Sequence, residues 1–174
     1  MALKEILTEP NKILREKSLP VDKVDKDLQQ LMNDMLETMY AAPGIGLAAI
    51  QVGVPKRVIV LDLSKKDEPK NPMYFVNPEI IKKSENNSTY EEGCLSVPGQ
   101  FAEIVRPDKC HIKYLDYFGQ FKELMAENML ATCIQHEIDH LEGILFIDHL
   151  SKLKKSMIIK KLSKYKTKSD RIIV

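Results

Sequence analysis

Two histidines four residues apart, with a glutamate directly after the first, stand in Gln135-His136-Glu137-Ile138-Asp139-His140-Leu141-Glu142-Gly143. On a helix, positions i and i+4 lie one turn apart on one face, so both imidazoles can converge on a single ion. This is the H-E-x-x-H arrangement, in which the histidines bind a metal and the glutamate serves as general base to its water. The same pentad also arises by chance, as one core histidine, one surface histidine and a solvated glutamate. Two ligands leave a catalytic centre incomplete, because zinc-type catalytic sites take three protein ligands and keep one position for water.

The third ligand is to be sought among carboxylates and cysteines. Glu142 is too close along the helix to swing round easily. Among the three cysteines, Cys94 stands out in Glu92-Gly93-Cys94-Leu95-Ser96-Val97-Pro98, where the flanking glycine and proline imply a fixed, unusual backbone. Cys133 lies one turn before His136 and Glu137 and reads as pocket wall; Cys110 reads as a small buried hydrophobe. His111 and His149 are assigned structural places.

The elements that must hold these residues follow from periodicity. Asn128 to Leu141 is predicted to be a helix, with Leu130, Cys133, Ile134, Ile138 and Leu141 forming a broad apolar stripe and Gly143 as its stop. An earlier helix carries Leu28, Leu31, Met32, Met35, Leu36 and Met39, capped by Asp22 or Asp25 and ended by Pro43-Gly44. A third, from Ser151 to Lys166, turns Leu153, Met157, Ile158, Leu162 and Tyr165 inward and its lysines outward. Between them lie short β-like runs, Val58–Leu61, Tyr74–Asn77, Glu79–Lys82, Ala102–Arg106, His111–Leu115 and Gln120–Leu124. Asn77-Pro78, Glu85-Asn86-Asn87, Pro98-Gly99 and Phe118-Gly119 read as the turns. So little helix between strands excludes a doubly wound parallel sheet. The prediction is one α+β domain over residues 1–174, with mixed or antiparallel sheets packed around a central metal-binding helix, an N-terminal helix and a C-terminal amphipathic helix. Gly44-Ile45-Gly46-Leu47-Ala48-Ala49 formally matches a dinucleotide fingerprint, but a helix and a proline precede it where a strand is required. A loop with close backbone approach is the expectation there.

Composition narrows the setting. The 174 residues are 44% hydrophobic and 29% charged, ordinary globular usage, with no apolar run of membrane-spanning length. Neither a signal-peptide pattern nor a disulfide framework is evident, so a reducing cytoplasm is expected, where a thiolate stays free for metal. Nine basic residues against Asp170 alone give Ser151–Val174 a charge of +8, which leaves −7 on the body of a chain whose net charge is +1. Such a tail is either a solvated helix face or a docking element for an anionic partner.

Three separated stretches, Gly44-Ile45-Gly46-Leu47-Ala48-Ala49-Ile50-Gln51, Glu92-Gly93-Cys94-Leu95-Ser96 and Gln135-His136-Glu137-Ile138-Asp139-His140, resemble the three signature motifs of peptide deformylases. They are intact, in the family's order, and the resemblance spans nearly the whole chain. It implies Cys94, His136 and His140 as ligands of one divalent metal ion. Fe2+ is the family's preferred metal, and Zn2+, Ni2+ and Co2+ are tolerated. It implies attack by metal-bound water with Glu137 as general acid/base, and oxyanion donors from the Gln51 side chain and the Leu95 backbone N–H. The Gly44–Gly46 segment, Ile45, Met129 and Cys133 would contact the substrate, and Glu92 with Arg106 would form a buried ion pair. The implied reaction removes the formyl group from N-formylmethionine on newly made bacterial and organellar proteins; the lack of a transit-like N-terminus points to a bacterial cytoplasm, and no DNA or membrane partner is expected. The basic C-terminal helix has two readings, a solvated face and, more sharply, a docking element for ribosomal RNA near the exit tunnel. Phe101 departs from the pattern, since many members carry arginine there.

Other readings are a metallopeptidase, a non-catalytic ribosome-associated protein with a structural metal, and a Cys94–His dyad. The Cys94 ligand and a narrow formyl-sized site argue against the first. Structural metals need a fourth protein ligand, which the sequence does not supply, and a dyad would work in the presence of chelators.

Overall fold

A computed structural model describes residues 2–173, with side chains described through residue 164. The first helix, α1 (Lys26–Ala41), begins where the Asp25 side chain accepts a hydrogen bond from the Leu28 N–H at 2.9 Å, which satisfies one of the unpaired donors of its first turn. Seven strands follow: β1 (Gly46–Ala48), β2 (Val58–Leu61), β3 (Met73–Lys83), β4 (Asn87–Cys94), β5 (Val97–Pro107), β6 (Lys109–Leu115) and β7 (Phe121–Glu127). Helix α2 (Asn128–Leu141) comes next, and α3 (Lys152–Ile173) closes the chain. The pairings are antiparallel, in a five-stranded sheet ordered β1-β2-β3-β6-β7 and a separate β4–β5 ribbon. The architecture is α+β, as predicted, with antiparallel sheets.

Alternation along β2 shows how the layers form. Val58 and Val60 pack with Leu28, Met32, Met35 and Met39 of α1. Ile59 and Leu61 pack on the other face with Ile134, Ile138 and Leu141 of α2. A strand with both faces covered is apolar throughout, and all four residues are buried. Helix α2 is enclosed along most of its length, with every residue from Ala131 to Ile138 buried. A third cluster joins Val97 and Ile104 of β5 to Leu145, Phe146 and Ile147 after α2 and to Ile158 and Leu162 of α3.

Several local expectations are corrected. Gly46–Ala48 is a short strand paired with β2, followed by a 3-10 turn at Ala49–Val52, where a loop was expected. Asn77-Pro78 does not divide two strands. Asn77 takes a left-handed φ of 50° at a bulge, and β3 runs on through Pro78, which lacks the N–H that a regular ladder would demand. Pro98-Gly99 likewise falls inside β5 at an irregularity, and β4 had no expectation at all. Leu153 and Met157 are exposed (72% and 50%), because Ile158 and Leu162 form the buried seam of α3. Leu153 lies about 140° round the helix from Ile158 at roughly 100° per residue. Tyr165, Lys166, Lys168, Asp170 and Arg171 lie outside the described side chains. No described helix is long and apolar enough to cross a membrane.

Candidate active site

Two elements deliver the three potential metal ligands. His136 and His140 project from the buried helix α2, and Cys94 ends β4, where the register breaks between Gly93 and Cys94 and the chain turns back into β5. The ligand atoms of Cys94, His136 and His140 lie within 4.8 Å of one another, with Cys94 Sγ 3.3 Å from His140 Nε2. The Ser96 N–H and Gln51 Nε2 also approach Cys94 Sγ, at 3.4 and 3.5 Å.

The surroundings prepare each imidazole differently. Burial opposes ionisation of Glu92, but hydrogen bonds from His136 and Arg106 hold its carboxyl below the usual range. An ionised Glu92 accepts from His136 Nδ1 at 2.8 Å, which leaves His136 Nε2 as the ligand atom. Burial alone would lower the His136 pKa, yet the hydrogen bonds to Cys94 and Glu92 outweigh it and push it well above the imidazole range, so a metal bound at Nε2 would displace a proton there. Burial, reinforced by the charge of His136, holds His140 well below that range, so this ring keeps a free lone pair.

Glu137 is the carboxylate next to this group. It is buried, and burial pushes its pKa up to about 7, with His136 opposing. Its Oε2 and His140 Nδ1 are buried without a hydrogen-bond partner among the described residues. Unpartnered buried polar atoms are costly. The unpartnered Glu137 Oε2, beside one thiol and two imidazoles, fits a site built around a divalent ion with a nearby polar ligand.

A cavity of about 540 Å³ opens onto these groups and is lined by the first motif (Gly44, Ile45, Gly46, Gln51), the second (Cys94, Leu95) and the third (His136, Glu137). Met129 and Cys133 of α2 complete its wall, and burial raises the Cys133 thiol to about 12, as suits lining and not ligation. Ile45 and Met129 remain 49% and 41% exposed, apolar surface facing an open cleft. Gln51 is held at both ends of its amide: Oε1 accepts from the Ala48 N–H at 2.9 Å, and Nε2 donates to Ser96 Oγ at 3.0 Å. Leu95 lies in the turn between Cys94 and Val97, and a Cβ on Gly44 would meet its side chain. Phe101 stands opposite Gly93 in the β4–β5 register and lines the cavity rim.

The Glu92–Arg106 pair is present and buried, Arg106 donating Nε to Glu92 Oε2 at 2.7 Å and Nη2 to Oε1 at 3.0 Å. Asp139 accepts from Arg106 Nη1 and stays outside the ligand set. His111 pairs with Glu123 at the surface, and Glu142 pairs with Arg57 and Lys17, away from the ligands. Cys110 is buried, and its thiol is raised to about 11. Sequence reasoning missed the part of Ser96 in anchoring Gln51. The N-terminal segment reads from the sequence as an irregular arm laid across the body, but its bonds to the site were not foreseen: the Leu7 and Glu9 N–H groups bond the carbonyls of Gln51 and Ser96 at 2.7 and 2.9 Å. Main-chain bonds of this kind carry no side-chain signal.

An α+β fold that gathers a thiol, two imidazoles and a buried carboxylate at the foot of an apolar cleft defines a class, the metal-dependent hydrolases. The particular family follows from comparison. Residues 3–156 match the family model of polypeptide deformylase. A peptide deformylase of Pelagibacter ubique is 66% identical over the full length of both chains. Crystal structures of the peptide deformylases of Ehrlichia chaffeensis and Legionella pneumophila superpose with TM-scores of 0.92 and 0.91, at 41% and 45% identity. The first covers 96% of this chain and 98% of its own, and the second 97% and 98%. The chain belongs to the polypeptide deformylase family.

Proposed function

We propose that this chain removes the formyl group from N-formylmethionine at the start of newly made proteins, releasing formate. The observation that carries the reading is the convergence of Cys94, His136 and His140 beside the buried Glu137 at the foot of the cleft. Cys94, His136 and His140 would hold one divalent metal, Fe2+ by family resemblance, with Zn2+, Ni2+ or Co2+ as substitutes. When bound, the metal supplies Lewis acidity, which makes water nucleophilic near neutral pH.

The chain's own groups do the rest. Glu137, buried beside the ligand group and facing the cleft, is placed to take a proton from the attacking water and return it to the departing amine. The Gln51 amide and the Leu95 N–H donate to the formyl oxygen as negative charge gathers there, and Gln51 is already oriented by Ala48 and Ser96. Gly44 and Gly46 let backbone lie close to the substrate. The methionine side chain enters the apolar wall of Ile45, Met129 and Cys133.

Formate release from formyl-Met peptides, run beside acetyl-Met and unblocked peptides, tests the reading. Release from the formylated peptides alone is expected, lost with chelator and restored by Fe2+ or Co2+. Cleavage of internal peptide bonds would instead make the protein a peptidase. The site of action is the bacterial cytoplasm, and the lysines of α3 dock on ribosomal RNA where the substrate emerges. Docking that weakens with salt and is lost on truncation after Leu150 is the expected outcome.

A further inference from the structure

The hydrogen bonds behind His136 continue past the Glu92–Arg106 pair. Glu92 Oε1 accepts from His136 Nδ1 at 2.8 Å and from Arg106 Nη2 at 3.0 Å, and Oε2 accepts from Arg106 Nε at 2.7 Å. Arg106 Nη1 reaches the other way, to Asp139 Oδ2 at 2.9 Å. The same oxygen meets His149 Nε2 at 2.8 Å. An unbroken chain of bonds therefore runs from His149, whose side chain is 40% exposed, to a ring at the centre of the site. We propose that His149 and Asp139 are positioning residues for the metal centre, fixing the tautomer and ring orientation of His136 through Arg106 and Glu92.

The geometry of the guanidinium is the reason. Its planar fork offers Nε and Nη2 side by side to Glu92, so Nη1 must find a partner elsewhere. Arg106 is buried, and Asp139 is the acceptor that meets this need. Without Asp139 the guanidinium loses its far anchor and is free to turn. Glu92 would then shift with it and loosen its hold on His136 Nδ1. His149, on the 3-10 turn Phe146–His149, holds Asp139 from the surface side. Asp139 also lies three residues after His136 on the same helix, so the ring and its distant support move as one body. Bonds in a network whose inner members are buried polarise one another, so a change at one end is felt at the other.

The inference rests on the metal-site reading above, and its test reads the metal and not formate. The full chain is loaded with Co2+, and two quantities are measured: its visible absorption spectrum and the rate of Co2+ release to a chelator. Loss of a group directly bonded to a metal-binding histidine typically costs about 10–100-fold in affinity. Asp139→Ala, two bonds further out than Glu92, should speed release by about tenfold, and His149→Ala by roughly threefold, both with an altered spectrum. His149→Gln, whose amide N–H can replace the ring donor, should restore the wild-type rate. His111→Ala, which breaks only the surface pair with Glu123, should leave the rate unchanged. Wild-type rates and spectra in both Asp139→Ala and His149→Ala would overturn the proposal, as would a His149→Gln variant no better than His149→Ala. If Asp139→Ala fails to fold, the partly exposed His149 decides alone. A wild-type protein that holds no Co2+ would instead defeat the metal-site reading itself.

Discussion

A Cβ atom on Gly46 would lie 2.6 Å from Glu137 Oε1 and 2.7 Å from Leu61 Cδ2. Two motifs ninety residues apart in the chain thus meet at one carboxylate, and the glycine is the space that the carboxylate occupies. Gly46→Ala must move Glu137 or the β2 strand beneath it. Overpacking of this kind costs typically about 1–3 kcal/mol, and the carboxylate is the softer of the two neighbours. The expected result is a lowered melting temperature together with a fall in kcat of about tenfold or more, since small misplacements of reacting groups are costly. Thermal melts and steady-state kinetics on a formyl-Met peptide check both.

Glu137→Gln keeps the shape of the side chain and removes the proton acceptor. Metal content and melting temperature should stay close to wild type, while kcat falls by about 10²–10⁴-fold. Metal analysis beside a formate assay is the measurement. Turnover within tenfold of wild type would remove Glu137 from its assigned role.

Gln51→Ala deletes one oxyanion donor and the bond to Ser96 Oγ. A loss of about 10²–10³ in kcat is expected, with KM changed far less, because the donor acts on charge that develops in the transition state. An equal loss carried by KM would assign Gln51 to substrate binding instead.

Arg106 and Glu92 are buried with side chains about one-twentieth exposed, 6% and 5%. Removing either partner leaves an uncompensated charge in the interior. Arg106→Ala and Glu92→Ala should each lose about 3–5 kcal/mol of stability in urea titrations. Replacing both by apolar residues should cost less than the two single losses added together, but with His136 deprived of its acceptor.

Asp62, which is outside the ligand set, supplies a pH dependence. Burial opposes its ionisation, but hydrogen bonds from Ser64, Tyr40 and Asn71 outweigh burial and hold its carboxyl below the usual range. A group whose folded pKa is lowered stabilises the protein above its unfolded pKa, about 3.9, and loses that contribution as pH falls through the folded value. Asp62→Asn should therefore be less stable than wild type at pH 7, with the gap closing below about pH 4. Urea midpoints measured from neutral to acid pH give the comparison, and a gap that widened on acidification would reverse the assignment.

Much of this molecule could be read without coordinates. Periodicity placed α1 and α2 closely, since their buried stripes of Leu, Met and Ile recur at helical spacing and the Asp25 cap and Gly143 stop are local signals. The i, i+4 histidines and the glycine-flanked Cys94 marked the centre of the site. β4 was not legible, because Asn87-Ser88-Thr89-Tyr90-Glu91-Glu92 packs one face against the interior and leaves the other in water, with polar residues on both. Nor was the passage of β3 through Pro78, because a bulge depends on the partner strand β6 and not on the proline alone.

The sequence by itself determined which groups could bind metal and move protons, because a thiol, imidazoles and a carboxylate are chemical facts of composition and spacing. It also determined the helix that carries three of them. Only the tertiary structure decided what those groups face. Cys94 reaches His140 because the β4–β5 turn folds back over α2, and Glu137 lies against Gly46 because β1 pairs with β2 beneath the helix. Burial, which raises Glu137 to about 7, belongs to no residue alone. It arises from long-range packing, which local sequence signals do not record.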